Sequence, residues 1–187
     1  MKYLNGAIQK YLNELSAKTP APGGGSAAAL SLAMAASLAV MTIRFTLGKE
    51  KYRKWESLLK KDLKGALAIQ KRAASLIDAD ATAYQNKDFK KALRVPAEVA
   101  HLSDKLMELA CGLISYGNKN LKNDTVMAAL LAEVSLVSGL MNVEANREFL
   151  KKESTSDKKL LWQLRFLYKK IKKRRRLEAC LGDSFRR

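Results

Sequence analysis

The chain has 187 residues, of which 48% are apolar, a length and composition typical of one domain with its own core. Lys and Arg total 35 against 18 Asp and Glu, a net charge of +17, and the high apolar fraction argues against a disordered chain. Cys111, Cys180 and His101 are the only cysteines and histidine, too few for an ordinary zinc or heme site or a His-based triad. We therefore expect one domain, residues 1–187, with a basic surface and no metal.

The first fifteen residues have helical patterning with charges inside it, which is unlike a signal peptide. Apolar positions three or four residues apart predict an amphipathic helix that ends near Pro20. These positions are Leu4, Ile8, Leu12 and Leu15. We expect a protein of the reducing cytoplasm.

A glycine-rich turn, Gly23-Gly24-Gly25-Ser26, opens an uncharged run over residues 26–43. The run is long enough for a membrane span, but it consists mostly of Ala, Ser, Met and Leu, and small residues suit close packing in a soluble bundle. We therefore expect a central buried helix and no transmembrane segment. The turn places free N–H groups at a helix N-terminus, which favours an anion; the alternative is a tight turn between two close helices.

The remaining apolar spacing predicts four further helices and no strand. Pro96 is placed in a first helical turn, and His101 and Cys111 are interpreted as packing residues. The predicted helices cover residues 52–86, 96–116, 126–151 and about 156–181. The sequence thus predicts an all-α fold, a single-domain up-and-down bundle of five to six helices.

Asp80 lies on the apolar stripe of the helix over residues 52–86, where a core residue is expected. An apolar setting raises a carboxyl pKa toward neutrality, where a general base is effective. The structural alternative is a buried aspartate bonded to the backbone or to a basic neighbour. Asp78 is turned about 200° away on the helix and is interpreted as a surface acid.

A second polar lane lies on the otherwise apolar helix over residues 126–151. Its side chains bond across helices, line a subunit contact or receive a polar ligand. They are Ser135, Ser138, Asn142 and Asn146. Asn123 or Asp124 is a natural N-cap for the same helix.

Taken together, these segments resemble the cyclodeaminase/cyclohydrolase family of folate enzymes, a helical module found fused to formiminotransferase and also free. The resemblance covers most of the chain. Its segments are, in order, TPAPGGGS at 19–26, TLGKEKY at 46–52, DATAY at 80–84, Val95-Pro96, GNKN at 117–120 with Asp124, and Asn142-Val143 with Asn146.

The resemblance implies a helical bundle, generally a homodimer, that holds a tetrahydrofolate derivative as substrate in a cleft associated with the subunit contact. The chemistry it implies takes place at the methenyl bridge. A cyclohydrolase adds water to the cationic methenyl carbon and opens the ring. A cyclodeaminase closes a formimino group onto the neighbouring nitrogen and expels ammonia.

The resemblance also implies roles for individual residues. Asp80 is the expected acid/base, and Asp124 with Asn118 orients it or the pterin. Asn142 and Asn146 read polar edges of the ligand. The residues Gly23, Gly24, Gly25, Ser26 and Lys49 are expected to hold the anionic glutamyl tail, and Tyr84 completes the substrate-binding set.

Between the two reactions we favour the cyclohydrolase, because 187 residues have no room for a formiminotransferase module. Several segments depart from the family pattern, and a homologue without folate turnover is the alternative they leave open. The departures are Arg44-Phe45, Asn123, Glu144-Ala145 and a short connection between Tyr84 and Pro96.

A rival class is a non-catalytic basic module. From Arg147 onward the chain has fifteen basic and five acidic residues, including the run 172–176. With Trp162, Phe166 and Tyr168 nearby, this segment could bind RNA or another polyanion; anionic lipid is a weaker option. We favour a solvated terminal helix whose aromatic side chains pack inward.

Overall fold

The computed structural model describes residues 7–148 and 154–172. Within them the chain forms six α-helices and no strand, which confirms the all-α helical bundle. The helices are α1 (Ile8–Leu15), α2 (Gly24–Thr46), α3 (Glu56–Gln85), α4 (Phe89–Tyr116), α5 (Lys122–Arg147) and α6 (Thr155–Lys172). Two short 3₁₀ helices, Glu50–Trp55 and Lys119–Leu121, precede α3 and α5.

Helix α2 is the centre of the bundle and packs against α3, α4 and α5. Its inward positions are small, with Ala29, Ala35 and Ala36 fully buried, so neighbouring backbones approach closely. Helices α4 and α5 meet in the same way at Gly139, where a Cβ would lie 2.8 Å from the Pro96 carbonyl oxygen. Glycine is required there because any side chain would collide with backbone.

Two helical segments, Gly24–Thr46 and Lys119–Arg147, are long and apolar enough to cross a membrane. A core helix of a bundle passes the same test of length and hydropathy. In the first segment 56% of the most apolar window is buried inside the bundle, and in the second 39%.

The predicted stripe of α1 is wrong. Ile8 and Leu12 are exposed, at 77% and 48%, whereas Tyr11 is only 5% exposed and faces the core. Leu15 is half-buried against the core, and Leu4 lies outside the described residues. In an eight-residue helix, contact with α2 decides which face is buried, and that contact is made by the aromatic ring.

Helix α4 begins seven residues earlier than predicted. Asp88 is its N-cap and accepts a hydrogen bond from the backbone N–H of Lys91 at 3.1 Å, so Pro96 lies inside the helix. The predicted capping of α5 is also wrong. Asn123 and Asp124 lie within the first turn of α5, and it is Asn118 that caps the preceding 3₁₀ helix.

Helix α6 corresponds to the predicted C-terminal helix, of which residues 173–181 lie outside the described part of the chain, as do the side chains of Tyr168 and Ile171. Its buried apolar side chains are Leu161, Leu164 and Leu167. The expectation that the aromatic residues pack inward is wrong for Trp162 and Phe166, which are 69% and 63% exposed.

Candidate active site

A polar cavity of about 170 Å³ lies where the first turn of α2 meets the last turns of α3 and α5. It contains seven of the eleven residues that the sequence nominates, together with Pro20, Ala21 and Ala92. The seven are Gly23, Gly24, Gly25, Asp80, Tyr84, Asn142 and Asn146. Four segments of the chain thus converge on one site, with the exposed Tyr84 at its rim.

The Asp80 carboxyl group lies directly against the start of α2. A Cβ on Gly25 would come within 2.6 Å of the Asp80 Cγ and overlap its oxygens, so this position requires glycine. The backbone N–H of Ser26 donates a hydrogen bond to the same carboxyl group. The anion at this helix N-terminus is therefore the protein's own aspartate.

Burial raises the pKa of Asp80 to about 6, because the low-dielectric surroundings disfavour the charged form. The hydrogen bond from Ser26 acts in the opposite direction and stabilises the carboxylate, but it is the smaller effect. The side chain borders the cavity, so a group that can take or give a proton near neutral pH faces any ligand there.

Tyr11 belongs to this site and is absent from the sequence-based set. Its hydroxyl donates a hydrogen bond to Ser26 Oγ at 3.2 Å. Burial raises the pKa of Tyr11, the hydrogen bond with Ser26 acts in the opposite direction, and the charge of Asp80 adds a smaller upward effect. The available signal was that Tyr11 lies four residues before Leu15, on a face next to that of Ile8 and Leu12.

Ser26 occupies a different position from the one expected. It is fully buried, its N–H binds Asp80 and its Oγ accepts from Tyr11. Ser26 therefore fixes Asp80 and Tyr11 in place and is not accessible to the glutamyl tail of a ligand.

Asn146 has a structural partner that explains its position. Its Nδ2 donates to the carbonyl oxygen of Ala92 at 2.7 Å, the oxygen that the residue at position 96 would bind in a regular helix. Pro96 has no N–H, so the asparagine replaces the missing donor. Asn142 donates instead to the Ser138 carbonyl oxygen at 2.8 Å, and both amides also line the cavity.

Asn146→Ala is expected to cost about 1–3 kcal/mol of unfolding free energy, because it leaves the Ala92 carbonyl unpaired. In a Pro96→Ala background the restored N–H binds that carbonyl, and the cost of Asn146→Ala should fall by more than half. Urea unfolding of the four proteins of this double-mutant cycle measures the coupling. Equal costs in both backgrounds would contradict the assigned pairing.

The other four nominated residues lie in two places. Ser26 lies behind Asp80. At the far end of α2 lie Lys49, Asn118 and Asp124. Asn118 donates its backbone N–H to Thr46 Oγ1 at 3.0 Å and its Nδ2 to the Phe45 carbonyl at 3.3 Å.

The helical rise from Gly25 to Thr46 is about 30 Å. Asp124 is in the first turn of α5 beside Thr125, which contacts Thr42 in the same half of α2. Within one chain none of these three residues can contact Asp80 or share a ligand group with the glycine turn.

Over the described ranges, 7–148 and 154–172, no group of three or more His, Cys, Asp or Glu side chains could hold a metal ion. The expectation of no metal stays a prediction for the whole chain.

The bundle and its cavity define a class of protein: an all-α enzyme that places one ionisable carboxyl group beside a small polar ligand site. A family model described as formiminotransferase-cyclodeaminase matches residues 7–87 and 85–161. The chain belongs to this family, as its motifs indicate.

Named relatives agree with this assignment. The chain is 30% identical over 179 residues to a methenyltetrahydrofolate cyclohydrolase of Methylorubrum extorquens, covering 83% of this chain and 86% of that protein. It is 27% identical to a formimidoyltransferase-cyclodeaminase of Dictyostelium discoideum, covering 75% of this chain but 29% of the relative.

The fold matches a solved structure of formiminotetrahydrofolate cyclodeaminase from Thermotoga maritima, with a TM-score of 0.82 and 24% identity. The match covers 95% of this chain and 93% of that one.

Proposed function

We propose that this protein is a methenyltetrahydrofolate cyclohydrolase and that Asp80 is its general base. The observation that carries the proposal is the Asp80 carboxyl group, held against Gly25 at a cavity wall with a pKa of about 6. The similarity to the named cyclohydrolase, which extends over most of both chains, supports the choice of substrate.

The ionisation state of Asp80 favours addition of water. A carboxyl group with a pKa of about 6 is about 90% ionised at pH 7. The carboxylate accepts a proton from water as the oxygen bonds to the cationic methenyl carbon. The carboxyl group then gives that proton to the ring nitrogen as its bond to the former methenyl carbon breaks. The hydroxyl loses its own proton to solvent as the formyl C=O forms, so the products are formyl-tetrahydrofolate and one proton. The negative charge also stabilises the cationic carbon before attack.

The cavity accommodates only the reacting end of a folate. Its volume of about 170 Å³ lies below the roughly 300–1,000 Å³ of sites that enclose a drug-sized ligand. Asn142 and Asn146 supply amide groups at the wall for the polar edge of a pterin. We assign the glutamyl tail to the space outside the cavity, where the positive surface of the protein attracts it.

Cyclodeaminase is the second candidate, because several relatives are named for that activity. Purified protein is incubated separately with methenyltetrahydrofolate and with formiminotetrahydrofolate, and the methenyl absorbance is followed. We expect loss of the first substrate, with kcat/KM half-maximal near pH 6 and constant above it. Gain of absorbance with release of ammonia from the second substrate alone would replace our proposal with the cyclodeaminase.

We further propose that the enzyme is a homodimer in which a second copy brings its own Lys49, Asn118 and Asp124 toward Asp80. Two features support this arrangement. Within one chain these residues lie near the far end of α2, about 25–30 Å along the helix from Gly25, which contacts Asp80. Helices α2 and α5 also expose the apolar side chains of Met34 and Met141 on a bundle with a net charge of +17.

Mixing two inactive chains tests the shared site. Asp80→Asn and Asp124→Asn proteins are produced together, and a mixed dimer has one intact site of its two. We expect each variant alone to be inactive and the mixture to recover about a quarter of the wild-type activity. No recovery from a mixture shown to contain mixed dimers would contradict the shared site and leave Asp80 as the base within its own chain.

A further inference from the structure

A second and wider depression of about 490 Å³ lies between α4 and α6, on residues that the proposed chemistry does not use. Apart from the apolar Ala97 and Leu102, its lining residues on α4 are four, three and four positions apart, so they form one face about 16 Å long. They are Arg94, Glu98, His101 and Lys105, and α6 contributes Lys159 and Gln163 on the other side. We call this depression the α4–α6 groove.

The charge of the groove is predominantly positive. Its one lining carboxylate, Glu98, is held by Arg72 through two hydrogen bonds of 2.6 and 2.7 Å. Arg94 lies 3.9 Å from the buried carboxylate of Asp157. Lys105 and Lys159 are exposed on opposite sides of the groove.

His101, between Arg94 and Lys105 on α4, reports this environment. Burial lowers the pKa of His101, the neighbouring Lys105 lowers it further, and Asp104 acts in the opposite direction. A negatively charged ligand in the groove would act against Lys105 and raise the pKa of His101.

Two exposed aromatic side chains on α6 lie outside the groove lining, about one helical turn from residues that belong to it. Trp162 is three positions beyond Lys159, and Phe166 is three positions beyond Gln163, so each lies beside a lining residue. Their exposed fractions of 69% and 63% leave most of each side chain open to solvent. Burying these rings would gain free energy, and the adjacent cations indicate a ligand that is both flat and anionic.

We propose that the α4–α6 groove binds single-stranded nucleic acid, with phosphates beside Arg94, Lys105 and Lys159 and bases stacked on Trp162 and Phe166. A basic groove that follows the backbone, combined with aromatic platforms, is how proteins bind single strands without sequence preference. The net charge of +17 adds long-range attraction for such a ligand.

The shape of the surface favours a strand over a lipid membrane. Arg94 and His101 line the wall of a depression, whereas a planar membrane contacts only the outermost side chains.

The single histidine provides a direct probe, because one imidazole signal reports on the middle of the groove. Oligouridylate of about ten nucleotides is added to the full-length protein and the pKa of His101 is followed by proton NMR. We expect the pKa to rise on binding, since phosphate stabilises the imidazolium. Binding without any change at His101 would place the strand elsewhere on the chain and overturn the proposal.

Paired variants locate the contacts. Lys105→Glu with Lys159→Glu should weaken binding at least tenfold and reduce the slope of log affinity against log salt by about 1.4, the value for two lost phosphate contacts. Trp162→Ala should weaken binding at least fivefold. Matched controls at exposed positions outside the groove, Lys64→Glu and Phe45→Ala, should have less than a twofold effect each.

Folate turnover should remain at the wild-type rate in the groove variants and in Lys64→Glu, which shows that each is folded and separates this proposal from the cyclohydrolase assignment. Equal losses in the groove variants and their controls would overturn the proposal. So would an absence of oligonucleotide binding, whether or not vesicles of anionic lipid bind.

Discussion

Asp80→Asn is expected to lower kcat for methenyltetrahydrofolate by a factor of about 10²–10⁴, the usual contribution of a general base. The amide keeps the size of the carboxyl group and still accepts the hydrogen bond from Ser26, but it cannot take a proton from water. Absorbance assays of wild type and variant at pH 7 measure the loss. Turnover within threefold of wild type would remove Asp80 from the mechanism.

The same substitution should make the protein more stable at neutral pH. The folded-state pKa of Asp80, about 6, is above its ordinary value of 3.8, so folding favours the protonated form. The contribution of Asp80 to stability is fully present below pH 3.8 and is lost as the pH rises through 6.

At pH 7 the resulting loss of unfolding free energy is at most about 3 kcal/mol. The Asp80→Asn variant avoids this loss because its amide does not ionise. Urea unfolding at pH 4 and pH 7 should therefore show a larger decrease for wild type than for the variant. A variant that is less stable than wild type at pH 7 would indicate that the carboxylate is held by favourable contacts, as an ordinary structural aspartate is.

The second large effect is expected at Gly25. Gly25→Ala places a methyl group 2.6 Å from the Asp80 Cγ, so the carboxyl group and the start of α2 must separate. A displacement of about 1 Å at a catalytic group costs on the order of 10²-fold in rate, and overpacking costs about 1–3 kcal/mol of stability. Steady-state kinetics and urea unfolding measure the two losses.

The adjacent glycines are matched controls for this substitution. A Cβ on Gly24 would meet only the Asn142 amide at an ordinary 3.6 Å, and one on Gly23 would meet nothing within 4 Å. Gly24→Ala and Gly23→Ala should therefore retain activity within about tenfold of wild type and near-native stability. Equal damage by all three substitutions would mean that backbone freedom of the turn, and not the space beside Asp80, sets the requirement for glycine.

The helical periodicity of the sequence was sufficient to predict the fold and the position of Asp80. An acid on an apolar stripe is drawn toward the core once that stripe packs, and Asp80 is partly buried at the cavity wall. A glycine turn at a helix start accepts an anion, and the structure supplies one from α3.

Periodicity could not predict contacts set by tertiary geometry. The stripe of α1 was misjudged because a short helix has few positions, and the burial of Tyr11 against Ser26 decides its orientation. Pro96 resembles a first-turn proline, and only the Asn146 amide bonded to Ala92 shows how α4 continues through it. The separation of Asn118 and Asp124 from Asp80 follows from the length of α2, which a set of motifs does not reveal.

The most direct test of the enzymatic proposal is a ¹³C NMR titration of the aspartate carboxyl groups, with Asp80→Asn used to assign the signal of Asp80. A carboxyl group enclosed between Gly25 and Ser26 should titrate with a pKa of about 6. A value near the ordinary 3.8 would mean that Asp80 is solvated, and a protein with such a group would lack the base on which water addition to the methenyl carbon depends.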